Sequence, residues 1–355
     1  MKAKLLAFRR SLTALIIGFL ASAVLILCVG ESPRHILQIF LNGAGGSAYD
    51  FGLTLYYAVP LVLTGLAVSI GLKTRLFNIG VEGQLTVGAL AAALAGIVGP
   101  DSAPWNRLLG FGAALLAGGL WGALLGYLRA RRRAHEVVAG IMLNFIAYGL
   151  TSWIALNFFK NPESQNPETM SIPTGARIPS FTFFQSAPVS WVLIIAPFAA
   201  LCVWAYYRWT RAGFAMEAVG SNPEAARYAG ISIATQQFWA LTLGGMLSGL
   251  VGFIEVYGNT GKFVVGFSPG YGFMGVAVAL VGRLNPLGIL GAALLFAGLH
   301  KGSLDLDFET EWLTRDFAQI LQAILILFMS CSNLIPASWQ LRIEVLKRRL
   351  HGNRD

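Results

Sequence analysis

Charge is what this sequence has least of. Asp, Glu, Lys and Arg make up 12% of its 355 residues, about half of the ~25% usual in soluble globular domains. Histidine (4) and cysteine (3) are rarer still. Cys28, Cys202 and Cys331 each sit inside or at the end of an apolar run, with no CxxC and no Cys/His group. That excludes a disulfide scaffold and leaves apolar packing as the role of the thiols. His35, His135, His300 and His351 are scattered and point to no metal site. Apolar residues abound instead: the hydrophobic class reaches 55%, with 41 glycines, and mean hydropathy is +0.63. A single water-facing surface needs more than 26 basic and 17 acidic side chains. A disordered chain and an ordinary cytosolic enzyme are both excluded, and lipid becomes the solvent for most of the protein.

Ten runs approach the roughly 20 apolar residues that a lipid-crossing helix takes. They lie near 12–29, 52–72, 78–98, 108–128, 137–158, 189–207, 236–257, 264–282, 286–300 and 314–332. The first follows Lys2, Lys4, Arg9 and Arg10 and resembles a signal peptide. Glu31-Ser32-Pro33 is a poor small-residue cleavage site, so the run reads as a retained anchor. The pattern predicts an all-α fold, a polytopic transmembrane helical bundle of about ten spans including broken helices, with both termini cytoplasmic. Under that threading 19 basic residues lie inside and 7 outside, as the positive-inside rule requires. The net charge of +9 is then a record of orientation, and no nucleic-acid partner is needed to explain it.

The expected organisation is one transmembrane domain at 1–340 and a basic cytoplasmic tail at 341–355. Residues 159–188 hold five prolines and read as a turn-rich external loop. Residues 208–235 read as a cytoplasmic loop carrying a short helix. Asn222 can cap it, Pro223 suits its first position, Glu224 its first turn and Gly230 its stop.

Some catalytic patterns match only on paper. Gly266-Phe267-Ser268-Pro269-Gly270 fits GxSxG, but a nucleophile elbow needs the backbone N–H after the serine, which Pro269 lacks. Gly270-Tyr271-Gly272-Phe273-Met274-Gly275 fits GxGxxG without the βαβ context of dinucleotide binding. Gly261-Lys262 ends like a phosphate loop, but Val256 stands where the earlier glycine belongs and Phe263 where Ser or Thr belongs. The chain is therefore read as no enzyme and as having no ATP-binding loop of its own.

Four segments survive. Gly71–Gly88 places Asn78, Glu82 and Gln84 where the chain re-enters an apolar run, with Gly80 and Gly83 permitting a broken helix start. A carboxylate in lipid costs about 2.5 kcal/mol or more and tends to face a cavity or a partner; the plainer reading has Glu82 capping backbone N–H groups at the interface. Ala134–Tyr148 carries Met142, Asn144 and Tyr148, which read as path lining or, for Asn144, as interhelical glue; Glu255 is equally open. Glu224-Ala225-Ala226-Arg227-Tyr228-Ala229-Gly230 has the form of a short helix seated in a partner's groove. Ser268–Gly288 repeats the glycine-rich, broken opening of 76–96, which hints at two structural repeats.

In this order, FNIGVEGQ, HEVVAGIMLN, AVGSNPEAARYAGI and GYGFMGVAVALVGRLNPLG resemble the inner-membrane permease subunits of bacterial ABC importers. The likeness is to the ribose, simple-sugar and nucleoside branch, nearest its nucleoside-type members, over roughly 50–335. It implies a multi-pass permease of the bacterial inner membrane that translocates a nucleoside, purine favoured, or else a ribose-like sugar. It also implies a second permease subunit, same or sister, an external solute-binding protein and a cytoplasmic ABC ATPase that holds the ATP and Mg, leaving this chain without a cofactor. Glu224, Ala225, Ala226 and Gly230 would then couple to the ATPase. Phe77, Asn78, Glu82, Asn144, Tyr271 and Phe273 are the candidates for the substrate path. An ion-coupled secondary transporter is the competing class; it predicts buried charge pairs at mid-span and leaves the 208–235 loop unexplained.

Overall fold

A computed structural model describes residues 16–184 and 187–310 and, beyond them, 317, 320, 321, 323, 324, 327 and 328. The basic residues before 16, most of the run at 314–332 and the tail at 341–355 lie outside the described residues. The chain divides into two compact units, Met1–Ile39 with Ser303–Asp355, and Phe40–Gly302. In the first, α1 is Ile16–Cys28, and α2, Pro33–Gly45, begins there. The sequence reading did not foresee α2.

The second unit is helical, with no β-strand among the described residues. Its α3, Ala48–Leu72, opens on Ser47, whose side chain accepts from Asp50 N at 3.1 Å. The helices α4, Val81–Val98, α5, Ala103–Arg132, and α6, Glu136–Phe158, follow. Arg129, Arg131 and Arg132 in the last turn of α5 suit the negative end of its dipole. Residues 159–190 carry three-residue 3-10 turns and isolated bridges such as Lys160 to Thr169, the turn-rich loop that the prolines predict. Next come α7, Ile195–Trp209, and two short helices, α8, Arg211–Ser221, and α9, Pro223–Tyr228. The last stretch holds α10, Ile233–Phe253, a π-helical turn Ile254–Thr260, α11, Tyr271–Val281, and α12, Pro286–Glu309.

Among the described residues, seven helical segments are long and apolar enough to cross a membrane: α3, α4, α5, α6, the stretch Trp191–Trp209, α10 with its π turn, and α12. α1 and α2 meet that test only as a pair and raise the number to eight. The sequence reading placed a crossing at 264–282. Only Tyr271–Val281 is helical there, because Gly266 and Gly270 hold φ of +76° and +95° around Pro269. Eleven residues rise about 16 Å, roughly half the ~30 Å of a hydrocarbon core. The run expected at 286–300 continues as helix to Glu309.

The core lies where α10 meets α3, α4 and α5. Close approach is possible because glycine lines the seam. A Cβ on Gly249 would collide with the Ala114 carbonyl, one on Gly245 with that of Gly118, and one on Gly122 with that of Leu241. Lipid tails are as apolar as leucine, so helices in a membrane gain by backbone proximity and dispersion, and small residues at the seam supply both. The seam therefore predicts a specific failure. Gly249→Leu should separate α10 from α5 and lower the thermal midpoint of the detergent-solubilised protein, at a cost of about 3 kcal/mol or more. Gly112→Leu, where an added Cβ meets nothing within 4 Å, should leave the midpoint unchanged.

Candidate functional site: a double broken-helix junction

The chain turns back twice inside the bundle. After α3 it passes Arg75, at φ +58°, and runs non-helically through Leu76–Gly80 before α4 begins. After the π turn it runs through 261–270 before α11 begins. α3 and α10 pack antiparallel. The end of α3 is tied to α8 through Lys73 and Glu217, and α10 starts just after α9 on that same face. The π turn instead leads to Lys262, which pairs with Glu168 of the 159–190 loop at 2.7 Å. The two non-helical segments thus enter from opposite faces, and their helices start against each other.

A helix that starts inside lipid leaves its first N–H groups without water. Neither start has a capping side chain at its N-cap: both positions are glycine, Gly80 and Gly270. The caps come from elsewhere. Asn144 of α6 accepts from Gly83 N at 2.8 Å and donates to the Ile79 carbonyl at 3.0 Å. Glu82, in the first turn of α4, accepts from Gly272 N in the first turn of α11. Ser268 Oγ takes the N–H groups of Gly270 and Tyr271 at 3.2 and 3.1 Å. Gly83 and Gly272 must be small, since added Cβ atoms would lie 2.8 Å from Asn144 Oδ1 and 2.6 Å from Glu82 Oε2. Asn78 and Gln84 pair amide to amide at 3.3 and 3.2 Å, and Ser248 of α10 donates to Gln84 at 3.2 Å.

The path candidates therefore fall into distinct settings. Asn78, Glu82, Asn144 and Tyr271 are buried together at the junction; Phe77 is half-buried, and Phe273 is exposed on α11. Sequence reasoning left Glu255 ambiguous and passed over Tyr56, Tyr57 and Asn259. Asn259 Nδ2 donates to Glu255 Oε2 at 3.0 Å on the π turn, and Tyr56 and Tyr57 meet edge to face at 5.0 Å on α3. The available signal was a set of polar and aromatic residues near the ends of apolar runs that should face each other if α3 and α10 pair.

The α8–α9 segment lies beside this junction on the face rich in arginine. Asn222 Oδ1 accepts from Glu224 N and Ala225 N at 3.1 and 3.2 Å, Pro223 opens α9, and Gly230 holds φ +79° past its end. The helix, its cap and its stop follow the sequence reading; the preceding helix α8 does not. Ala226 is buried against the body, whereas Glu224, Ala225 and Gly230 face outward and Tyr228 is 90% exposed. Arg75 donates to the last carbonyls of α8, Gly220 at 2.7 Å and Ser221 at 2.8 Å. Lys73 reaches Glu217 and stands 3.8 Å over the Tyr207 ring. A groove of about 570 Å³ runs alongside, lined by Arg129, Arg133, Arg227, Ile231, Ser232 and Gln237.

Seven long apolar helices among the described residues, interrupted helices meeting in the bundle and a helical hook strapped to one face define a multi-pass membrane protein of the transporter type. Residues 51–330 match the family described as the branched-chain amino acid transport system / permease component, and the chain belongs to it. The sequence is 36% identical over 325 residues to the guanosine ABC transporter permease protein NupP of Bacillus subtilis (strain 168), covering 90% of this chain and 92% of that one. It is 31% identical over 335 residues to the nucleoside ABC transporter permease protein NupB of Lactococcus lactis subsp. cremoris (strain MG1363), covering 91% of each. With the glucose ABC transporter permease protein TsgB13 of Haloferax volcanii it shares 37% over 300 residues, 80% of this chain and 77% of that one.

Two outcomes follow from the geometry. Asn144→Ala strands a donor and an acceptor at the start of α4 and should cost about 1–3 kcal/mol, read as a lower melting midpoint; Asn144→Asp, which keeps the acceptor for Gly83 but sets a buried carboxylate against the Ile79 carbonyl, should not rescue it. Beyond the membrane-crossing helices, the Lys262 hydrogen bond, and after it that of Ser164, holds the Glu168 carboxyl below its ordinary value. The pair then stabilises the loop above the unfolded-chain value of about 4.3 and is lost as pH falls through the lower folded one. Proteolysis of the 159–190 loop should accelerate in that window, and Glu168→Gln should remove the pH dependence.

Proposed function

We propose that the chain is the membrane-spanning permease subunit of an ATP-binding-cassette importer that carries a nucleoside, purine favoured, across the bacterial inner membrane. It works with a second permease, the same chain or a sister, with an external solute-binding protein and with a cytoplasmic ABC ATPase that binds ATP and Mg and hydrolyses the ATP. The transmembrane domain takes in 1–340, with about ten spans counting the broken helices. Both termini, the 208–235 segment and the 341–355 tail are cytoplasmic, and 159–188 is external. The named substrates of the guanosine and nucleoside relatives support the cargo assignment. The glucose relative, at 37% identity, favours a simple sugar as the second reading; guanosine and glucose have a hydroxylated ring in common.

The observation that carries the mechanism is the strap from α8–α9 to the junction. Glu224, Ala225, Ala226 and Gly230 form the hook that a moving ATPase engages, and the arginine-lined groove beside it seats acidic side chains of that partner. A push on the hook passes through Arg75 to Leu76–Gly80 and reaches Glu82, where the two broken helices meet. Phe77, Asn78, Glu82, Asn144, Tyr271 and Phe273 sit at or beside the point where the path opens to one face or the other. Two packings of this junction, biased by ATP, alternate the access. The carrier supplies a route and no covalent step.

Vesicles holding both permeases and the ATPase, with binding protein outside, should take up labelled adenosine only when ATP is inside. Uptake that persists without ATP, or that follows an imposed ion gradient, overturns the importer reading in favour of an ion-coupled carrier. Glu224→Arg and Gly230→Val should leave the permease folded and cut ATP-dependent uptake about tenfold or more, while the ATPase continues to turn over. The second variant adds strain of about 1–2 kcal/mol at a left-handed position.

A further inference from the structure

One tyrosine stands apart in this bundle. Tyr271 is 4% exposed, and its backbone N–H is held by Ser268. Its phenol is not one of the buried side-chain groups left without a partner, and no hydrogen bond within the described residues occupies it. It stands in the first turn of α11, at the helix start that the two broken helices share. Its surroundings are polar in a way that an apolar helix bundle does not require. Tyr56, Tyr57, Glu82 and Glu255 all stand within electrostatic range of it. Glu82 and Glu255 are the two buried carboxylates on the membrane-crossing helices among the described residues.

The two carboxylates have different duties. Glu82 is occupied: it takes Gly272 N–H and is approached by Ser268 and Tyr148. Glu255 is held on one oxygen by Asn259, whose side chain also reaches Tyr56. Both ride the π-helical turn Ile254–Thr260. A wide turn of this kind re-aims side chains and concentrates at functional positions. The set offers carboxylate and phenol oxygens as acceptors, a phenol O–H and an amide as donors, and aromatic walls. A cation would find the Glu82 oxygens already engaged. A neutral ring carrying adjacent hydroxyls suits the set better, since each hydroxyl both donates and accepts and the ring's C–H face packs on a tyrosine.

We propose that the Tyr271 hydroxyl, together with Glu255 and Asn259 on the π turn, reads the vicinal hydroxyls of the sugar ring of the transported molecule. The inference rests on the nucleoside-or-sugar reading given above and adds which end of the molecule the permease itself inspects. A site built to hydrogen-bond a hydroxyl discriminates strongly against an analogue lacking it, because the buried partners are then left unpaired.

The test uses the full transporter in vesicles with its binding protein and ATPase, comparing initial uptake of adenosine with that of 2′,3′-dideoxyadenosine at saturating concentrations of each. The preference of the wild type for adenosine should fall about tenfold in Tyr271→Phe and in Glu255→Gln, each of which removes one hydrogen-bonding function and keeps the shape. Tyr257→Phe, which removes a buried hydroxyl of the same π turn that bonds Asn106 instead, should not change that preference. Variants that keep the wild-type ratio, or that lose both substrates in equal proportion, overturn the inference while the importer reading stands. A wild-type transporter that moves neither compound overturns the nucleoside reading itself.

Discussion

A backbone N–H that starts a helix inside a membrane must find an acceptor within the protein. In this chain that requirement is met at one place by one carboxylate, Glu82, which sits in the first turn of α4 and closes the first turn of α11 through Gly272. The glycines at 80, 83, 270 and 272, the asparagine that reaches over from α6 and the serine before α11 all serve the same constraint. They remove the side chains that would keep the two helix ends apart and supply the acceptors that lipid does not. A continuous helix needs none of this; the cost is accepted where the chain turns back, and the buried polar groups collect there.

The junction holds only because its surroundings are rigid. The glycine seam draws α10 against α4 and α5 so closely that backbone meets backbone, and α3 is buried along most of its length. α5, α6 and α7 instead turn large apolar side chains such as Leu120, Phe145 and Phe198 outward. A stiff inner layer with a soft polar break in it is the kind of body in which a small displacement at one end is felt at the other. The Arg75 strap ties the break to an exposed helical hook, so the surface segment and the interior share one set of bonds. Arg75 docks on backbone carbonyls of α8, so this tie does not depend on an acidic partner.

Much of the architecture was legible beforehand. The apolar runs, the proline-rich loop and the Asn222 cap are local signals, and local physics reproduces them. The 264–282 run was misread because composition counts apolar residues and ignores that Gly266 and Gly270 adopt a left-handed backbone around Pro269. The π turn left no trace in the spacing either: one extra residue in a turn of an apolar helix does not change its hydropathy. Glu82 was visible as a polar intruder, with capping among its readings, but the N–H it caps belongs to a helix 190 residues on. Tyr56 and Tyr57 look like ordinary aromatic filler until α3 and α10 are placed side by side. For the broken span and the π turn the missing information was local backbone geometry; for Glu82 and the tyrosines it was long-range pairing.

The two trans caps have opposite positions in the order of synthesis. Glu82 is already made when Gly272 emerges, so the start of α11 finds its acceptor waiting. The start of α4 instead depends on Asn144, 61 residues later, which at ~5–20 residues per second is a delay of roughly 3–12 s. During that interval the N–H of Gly83 has only water or the translocation machinery to bind. α4 must therefore remain near an aqueous interface until α6 has been laid beside it, and the first broken helix is completed after, not before, the two crossings that follow it.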